Sequence, residues 1–261
     1  METRTPDGVT LRFDEAGAGD PAIVFVHGWC CSRDYWRHQV AHFSRRHRMI
    51  ALDQRGHGES DKPDQDYTVS GFVDDLAWFI GDRSLDRPVI VGHSMGGIIA
   101  MNLARKRPDI ARGIVMIDSP VTPLPEQLQP VAESTLTALQ SDAYKQVVEG
   151  FVRMFMFDAN SRPGLADETI AAMSTAPQRL MHTALADTLG PNTMQPGPIP
   201  VPALYVRAAT NFATEDGLAE RYPGLEVVTV DCAHFIQLEK PDETNALVES
   251  LIARVAEGAP A

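Results

Sequence analysis

The feature that most limits what this chain can become is a set of short, wholly apolar runs such as IVFV at 23–26 and VIVG at 89–92. A strand with one solvated face alternates apolar and polar residues, so a run without alternation belongs in a sheet covered on both sides. Helical periodicity recurs between the runs, which is how crossover helices provide that cover. Strands are expected at 9–14, 22–27, 47–53, 88–93, 113–118, 202–207 and 225–230, with helices at 67–82, 94–107 and 241–256. The last helix opens on Pro241, Asp242 and Glu243, an acidic first turn that suits the helix dipole. The fold class is α/β, with a mostly parallel sheet between layers of helices.

The alternation stops after Asp118 and resumes near 202. Residues 121–197 therefore read as a helical insertion in a core made of 1–120 and 198–261. Its edges are rich in proline (Pro120, Pro123, Pro125 and Pro130, then Pro191, Pro196, Pro198 and Pro200), which interrupts helices and stiffens connections. Inside it, Val147, Val148, Phe151, Val152 and Phe155 fall at helical spacing and predict an amphipathic helix over 142–157. Met154, Met156, Met173, Leu180 and Met181 add adaptable apolar bulk. Such a subdomain either packs on the core or covers a site, and the two roles are compatible.

Composition removes several classes of function. A length of 261 residues, 44% hydrophobic, suits one sizeable domain. The formal net charge of −12 disfavours binding to nucleic acid or to an anionic membrane surface. No apolar run reaches the roughly 18 to 20 residues of a membrane span, and Met1 to Thr10 is polar, so a soluble cytoplasmic protein is expected. Cys30 and Cys31 are adjacent and Cys232 stands alone, without zinc-site spacing, which points to reduced thiols and no metal. Oligomeric state stays open, a homo-oligomer included.

Gly92-His93-Ser94-Met95-Gly96 lies between an expected buried strand and an expected helix. In that context Gly-x-Ser-x-Gly forms a nucleophile elbow. The sharp turn strains the serine backbone, and the flanking glycines avoid clashes with neighbouring chain. The turn also sets Ser94 at a helix N-terminus, where free N–H groups favour developing negative charge.

With this motif the sequence resembles the α/β-hydrolase family over nearly the whole chain. Three further segments carry the resemblance: His27-Gly28-Trp29 after a strand, Asp53-Gln54-Arg55-Gly56-His57-Gly58-Glu59-Ser60 after the next, and Cys232-Ala233-His234-Phe235 past the last. The resemblance implies a roughly eight-stranded sheet with an inserted helical cap and no cofactor. It assigns the backbone N–H groups of Trp29 and Met95 to an oxyanion hole, a structural role to the Asp53 loop, and the catalytic base to His234.

Acyl transfer needs a nucleophile, a base, an acid to orient the base, and donors for the oxyanion. Among the eight histidines, His38, His42 and His47 read as solvated, His27, His57 and His93 as parts of turns, and His182 as a helix-face residue of the insertion. His234 is left as the base. The acid is Asp118 at the end of GIVMID, with Asp216, Glu215 and Asp231 as alternatives; a local capping role would also explain Asp118. In the resemblance the acid also occurs after the strand PALYVR, where this chain has Asn211, an amide that cannot supply charge. With Asp118 as the acid, substitution of Asn211 is expected to be mild.

The expected activity is hydrolysis of a small carboxylic ester or lactone with an apolar part, through Ser94, His234 and Asp118. Cys30, His93, Phe151, Phe155 and Phe235 are expected to face this small-molecule substrate, while Tyr35 and Trp36 pack the first helix. Rival readings on the same scaffold are a carbon–carbon bond hydrolase and a cofactor-independent ring-opening dioxygenase, the latter suggested by HGWCC and opposed by Met95 after the nucleophile. A ligand receptor without turnover is the rival of another class.

Overall fold

A computed structural model describes residues 1–257. Its strands are β1 (Glu2–Arg4), β2 (Thr10–Ala16), β3 (Ile23–Val26), β4 (Met49–Asp53), β5 (Val89–His93), β6 (Gly113–Ile117), β7 (Ala203–Ala208) and β8 (Glu226–Val230). The helices are α1 (Arg37–Phe43), α2 (Val69–Asp82), α3 (Met95–Lys106), α4 (Gln129–Ala138), α5 (Tyr144–Phe155), α6 (Leu165–Met173), α7 (Gln178–Thr188), α8 (Glu215–Arg221), α9 (Ile236–Glu239) and α10 (Pro241–Glu257). The strands form one sheet in the order β1-β2-β4-β3-β5-β6-β7-β8. It is parallel from β4 to β8, and β2 runs antiparallel to both its neighbours, β1 and β4.

Every residue of β3, β4, β5 and β6 is buried, as their unbroken apolar runs require. The pleat divides them between two cores. Val24 and Val26 join Phe72 and Leu76 of α2 and Ile98 and Met101 of α3. Ile23 and Phe25 face the other way, toward Trp36 and Phe43 at α1 and Val248 and Leu251 of α10. The Phe25 ring lies 5.0 Å from that of Trp36. Tyr35 and Trp36 are buried core residues, as expected.

β1 falls outside the expected strands. It is a short, mostly exposed edge without an apolar face, held by pairing with β2. The segment between β6 and β7 holds α4, α5, α6 and α7, and the helix expected over 142–157 is α5, with Val148 and Val152 buried. No helix among the described residues is long and apolar enough to cross a membrane, and none of their His, Cys, Asp and Glu side chains cluster as a metal site.

The strand order reverses between β3 and β5: the chain goes from β3 outward to β4, returns to β5 on the other side of β3, and continues to β8. Loops leaving the C-terminal ends of strands at such a reversal diverge and leave a crevice, where open α/β sheets bind ligands. Val26 pairs with Gly92 there, so the Gly28–Trp29 loop and Ser94 leave the sheet side by side.

Candidate active site

Ser94 is one residue beyond β5, and its N–H donates to the Ile117 carbonyl (2.8 Å), extending the β5–β6 ladder by one bond. Asp118 is one residue beyond β6, and its N–H donates likewise to Val206 on β7 (2.8 Å). Both then turn through a left-handed backbone, with φ of +54° at Ser94 and +42° at Asp118. Side chains rarely tolerate that region, and such strain concentrates at functional sites. At Gly96, an added Cβ would stand 2.1 Å from the Val26 carbonyl oxygen, so only glycine lets α3 start this close to β3. Gly28 faces the nucleophile in the same way, since its Cβ would meet that of Ser94 at 2.9 Å.

His234 follows β8 and precedes α9. Its Nδ1–H donates to Asp118 Oδ2 at 2.7 Å, across 116 residues of sequence. His93 donates from Nε2 to the His234 carbonyl (3.0 Å), which anchors the backbone of that loop. Asp118 Oδ1 accepts from the Ala208 N–H (3.0 Å) and from Asn211 Nδ2 (2.6 Å). Burial pushes the Asp118 carboxyl up, but the hydrogen bond and charge of His234, with the bonds from Asn211 and Ala208, outweigh it and hold the group below the usual carboxylate range. Burial pushes the His93 imidazole well below its ordinary value, and the neighbouring His234 adds to the effect.

The other acids considered for this role stand elsewhere. Glu215 bonds Thr229, Asp216 is exposed in the first turn of α8, and Asp231 is exposed beyond β8. Asn211, whose substitution is expected from the sequence to be mild, is hydrogen-bonded directly to Asp118.

Ser94 and His234 line one cavity of about 150 Å³ with Trp29 and Asp118, under Pro120, Leu128, Phe151, Phe155 and Leu185 from the segment between β6 and β7. No hydrogen bond joins Ser94 to His234 among the described residues, and such bonds are often open before substrate arrives. Among the described residues the N–H groups of Trp29 and Met95 donate to no protein acceptor, and Met95 opens α3, where the first N–H groups lack helical partners. The Trp29 indole reaches upward instead, donating to the Met181 carbonyl on α7 (3.0 Å) and meeting the Phe151 ring edge-on at 5.8 Å.

Of the five residues expected to face substrate, Phe151 and Phe155 do line the cavity. Cys30, His93 and Phe235 do not. Cys30 turns into the core at a φ of +56°, and burial raises its thiol pKa well above the ordinary value. His93 and Phe235 pack together behind the site, ring centroids 5.2 Å apart and planes tilted by 38°, and both are almost wholly buried. Each is next in sequence to a cavity residue, and adjacent side chains on an extended or sharply turned backbone point to different sides. The Asp53 loop has the structural role expected of it: the buried carboxylate accepts from the N–H groups of Arg33 (2.7 Å) and Glu59 (3.0 Å).

Comparison with known proteins agrees with this architecture. A 2-(acetamidomethylene)succinate hydrolase from Mesorhizobium japonicum is 37% identical over 110 residues, a match that spans 42% of this chain and 39% of the relative. A haloalkane dehalogenase from Sphingobium indicum is 27% identical over 95% of this chain and 93% of its own. The solved structure of Est816, an N-acyl homoserine lactone degrading enzyme, superposes with a TM-score of 0.80 at 28% identity, covering 96% of this chain and 99% of that one. Residues 21–241 match the family model described as the alpha/beta hydrolase fold, and the chain belongs to that family.

Proposed function

We propose that the protein is a serine hydrolase of uncharged carboxylic esters or lactones with a small apolar part. The observation that carries this reading is Ser94 on its strained turn, opening with the His234–Asp118 pair into an apolar cavity beside two unpartnered N–H groups. Ser94 Oγ attacks the carbonyl carbon and its proton passes to His234 Nε2, the nitrogen left free because Nδ1–H is bound to Asp118. The tetrahedral oxyanion takes the N–H groups of Trp29 and Met95. Collapse expels the alcohol, which takes the proton from His234, and water then releases the acid from the acyl-enzyme by the same steps. With a lactone, the alcohol stays attached to the acyl group.

The nucleophile discriminates among the chemistries found in this family. Attack of a serine oxygen on an alkyl halide or an epoxide would leave an ether, which no carbonyl chemistry can release. Attack on a carbonyl leaves an ester, which the same oxyanion site can hydrolyse.

The lining narrows the substrate further. Asp118 and His234 are its ionisable members among the described residues, with no lysine or arginine. A carboxylate entering would lose its water without gaining a cationic partner and would meet the charge of Asp118. The succinate derivative in the name of the Mesorhizobium relative is therefore not carried over to this chain, whereas a neutral lactone, the class named for Est816, meets no such charge penalty. A cavity of this size holds a ring comparable to benzene. Residues 121–197 act in this reading as a cap that sets the size of the bound group.

The test is a panel of p-nitrophenyl esters and lactones with a fluorophosphonate label, run on the wild type and on Ser94→Ala. The wild type is expected to be labelled and to turn over repeatedly, and Ser94→Ala to lose the label and at least about 10³-fold in kcat. Equal turnover in the variant sinks the assignment, and one equivalent of product without further turnover favours a receptor. p-Nitrophenyl hexanoate is expected to exceed the matching half-ester of adipic acid at least about 100-fold in kcat/KM, and parity between them refutes the uncharged substrate class.

A further inference from the structure

The hydrogen bonds around Asn211 account for every polar atom of its side chain. Its Oδ1 accepts from the Ala213 N–H at 2.8 Å, which fixes the orientation of the amide. Its Nδ2 then faces two oxygens, Asp118 Oδ1 at 2.6 Å and the Tyr205 hydroxyl at 3.3 Å. The Tyr205 hydroxyl hydrogen is already committed to the Ser119 carbonyl (2.5 Å), so toward Asn211 it can only accept. Tyr205 is fully buried and Asp118 nearly so. The Asn211 backbone is held in turn by Arg207, whose Nη2 donates to its carbonyl (3.1 Å).

We propose that Asn211 is a positioning residue for the triad, which holds the Asp118 carboxylate toward His234 and works only as a neutral donor. The proposal rests on the Ser94–His234–Asp118 reading and adds a fourth member acting through the acid. With Oδ1 tied to Asn211 and Ala208, the carboxylate cannot rotate, and Oδ2 is kept for His234. A carboxylate at 211 would set an oxygen against Asp118 Oδ1 and against the lone pairs of Tyr205. Two carboxylates that close cannot both ionise, and the proton they share would weaken the charge available to His234. The amide at 211 is therefore part of what makes an acid at 118 work, and it is more than the vestige of an acid lost from the later loop.

Two measurements test this. Asn211→Leu removes the donor while keeping the number of side-chain heavy atoms, and loss of one hydrogen bond to a charged group predicts about a 10- to 100-fold fall in kcat. Because Asn211 also borders the cavity, KM separates the roles: positioning leaves KM within about twofold, and direct substrate binding puts the loss in KM. Asn211→Asp is expected to lose at least as much kcat as Asn211→Leu. The second readout is the far-downfield proton resonance of His234 Nδ1–H in the substrate-free protein, assigned by its disappearance in His234→Gln. It is expected to move in Asn211→Leu, and Asn211→Ala, which adds no bulk, is read the same way should the leucine variant not fold. A kcat within about twofold of wild type, a loss carried by KM, or an unmoved resonance overturns the proposal. The resonance needs no substrate, so the test stands even if none of the esters is hydrolysed.

Discussion

At the scale of single residues, the proposed triad depends on two side chains that leave adjacent strands by the same device. Ser94 and Asp118 each follow the last paired residue of a strand and turn through a positive φ, which lifts nucleophile and acid above the sheet edge. Asp118→Asn keeps the shape but offers His234 an amide, which favours the wrong imidazole tautomer and supplies no charge. A fall in kcat of up to about 10⁴-fold is expected, measured on the best ester of the panel with folding checked by thermal unfolding. A wild-type rate in that variant would exclude Asp118 as the acid. Ser94 and its glycine-bounded turn were legible from the sequence because all the required residues are neighbours. The partner of His234 was one of four carboxylates along the chain, since nothing local distinguishes an aspartate that caps a turn from one that meets a histidine 116 residues away.

At the scale of elements, α5 and α7 close the cavity, and Trp29 ties them to the loop after β3 through Met181 and Phe151. The helical spacing of Val148, Phe151, Val152 and Phe155 announced α5, and the structure turns the two valines into the core and brings both phenylalanines to the cavity. Truncating either aromatic is expected to enlarge the acyl space without touching the chemistry. Phe151→Ala and Phe155→Ala should each shift the preferred p-nitrophenyl ester toward a longer chain by kcat/KM while fluorophosphonate labelling persists. Unchanged selectivity in both would reduce this segment to scaffold. The elbow is less forgiving. Gly96→Ala places a methyl 2.1 Å from the Val26 carbonyl oxygen, so α3 must move off β3, and a loss of about 1–3 kcal/mol or more in unfolding free energy is expected from denaturant titration.

At the scale of the whole molecule, three histidines lie in the interior of the sheet–loop junction. Burial is the main cause that pushes His27, His57 and His93 below their ordinary pKa. His57 Nε2 and His93 Nδ1 have no hydrogen-bond partner among the described residues to support a proton. The unfolded chain binds protons at all three once the pH falls below about 6.5, and the folded chain binds them less readily. The contribution of these three groups to stability is therefore fully present above that pH and is lost as the pH drops. Urea unfolding at pH 7.5, 6.5 and 5.5 should show the fall, and His57→Asn should make it shallower; no change over that range would contradict it. The sequence by itself determined the class of sheet, the glycine-bounded turn at Ser94 and the presence of an inserted helical segment, because each is written in residues a few positions apart whose periodicity or backbone demands have one solution. It could not supply β1, whose exposed edge is made by pairing and carries no apolar signature. Nor could it say that Cys30, His93 and Phe235 turn inward beside residues that face the cavity, or that Asn211 serves Asp118. Those outcomes depend on which loops the reversal of strand order between β3 and β5 brings together, and on hydrogen bonds between groups some ninety residues apart that only the packed sheet holds in contact.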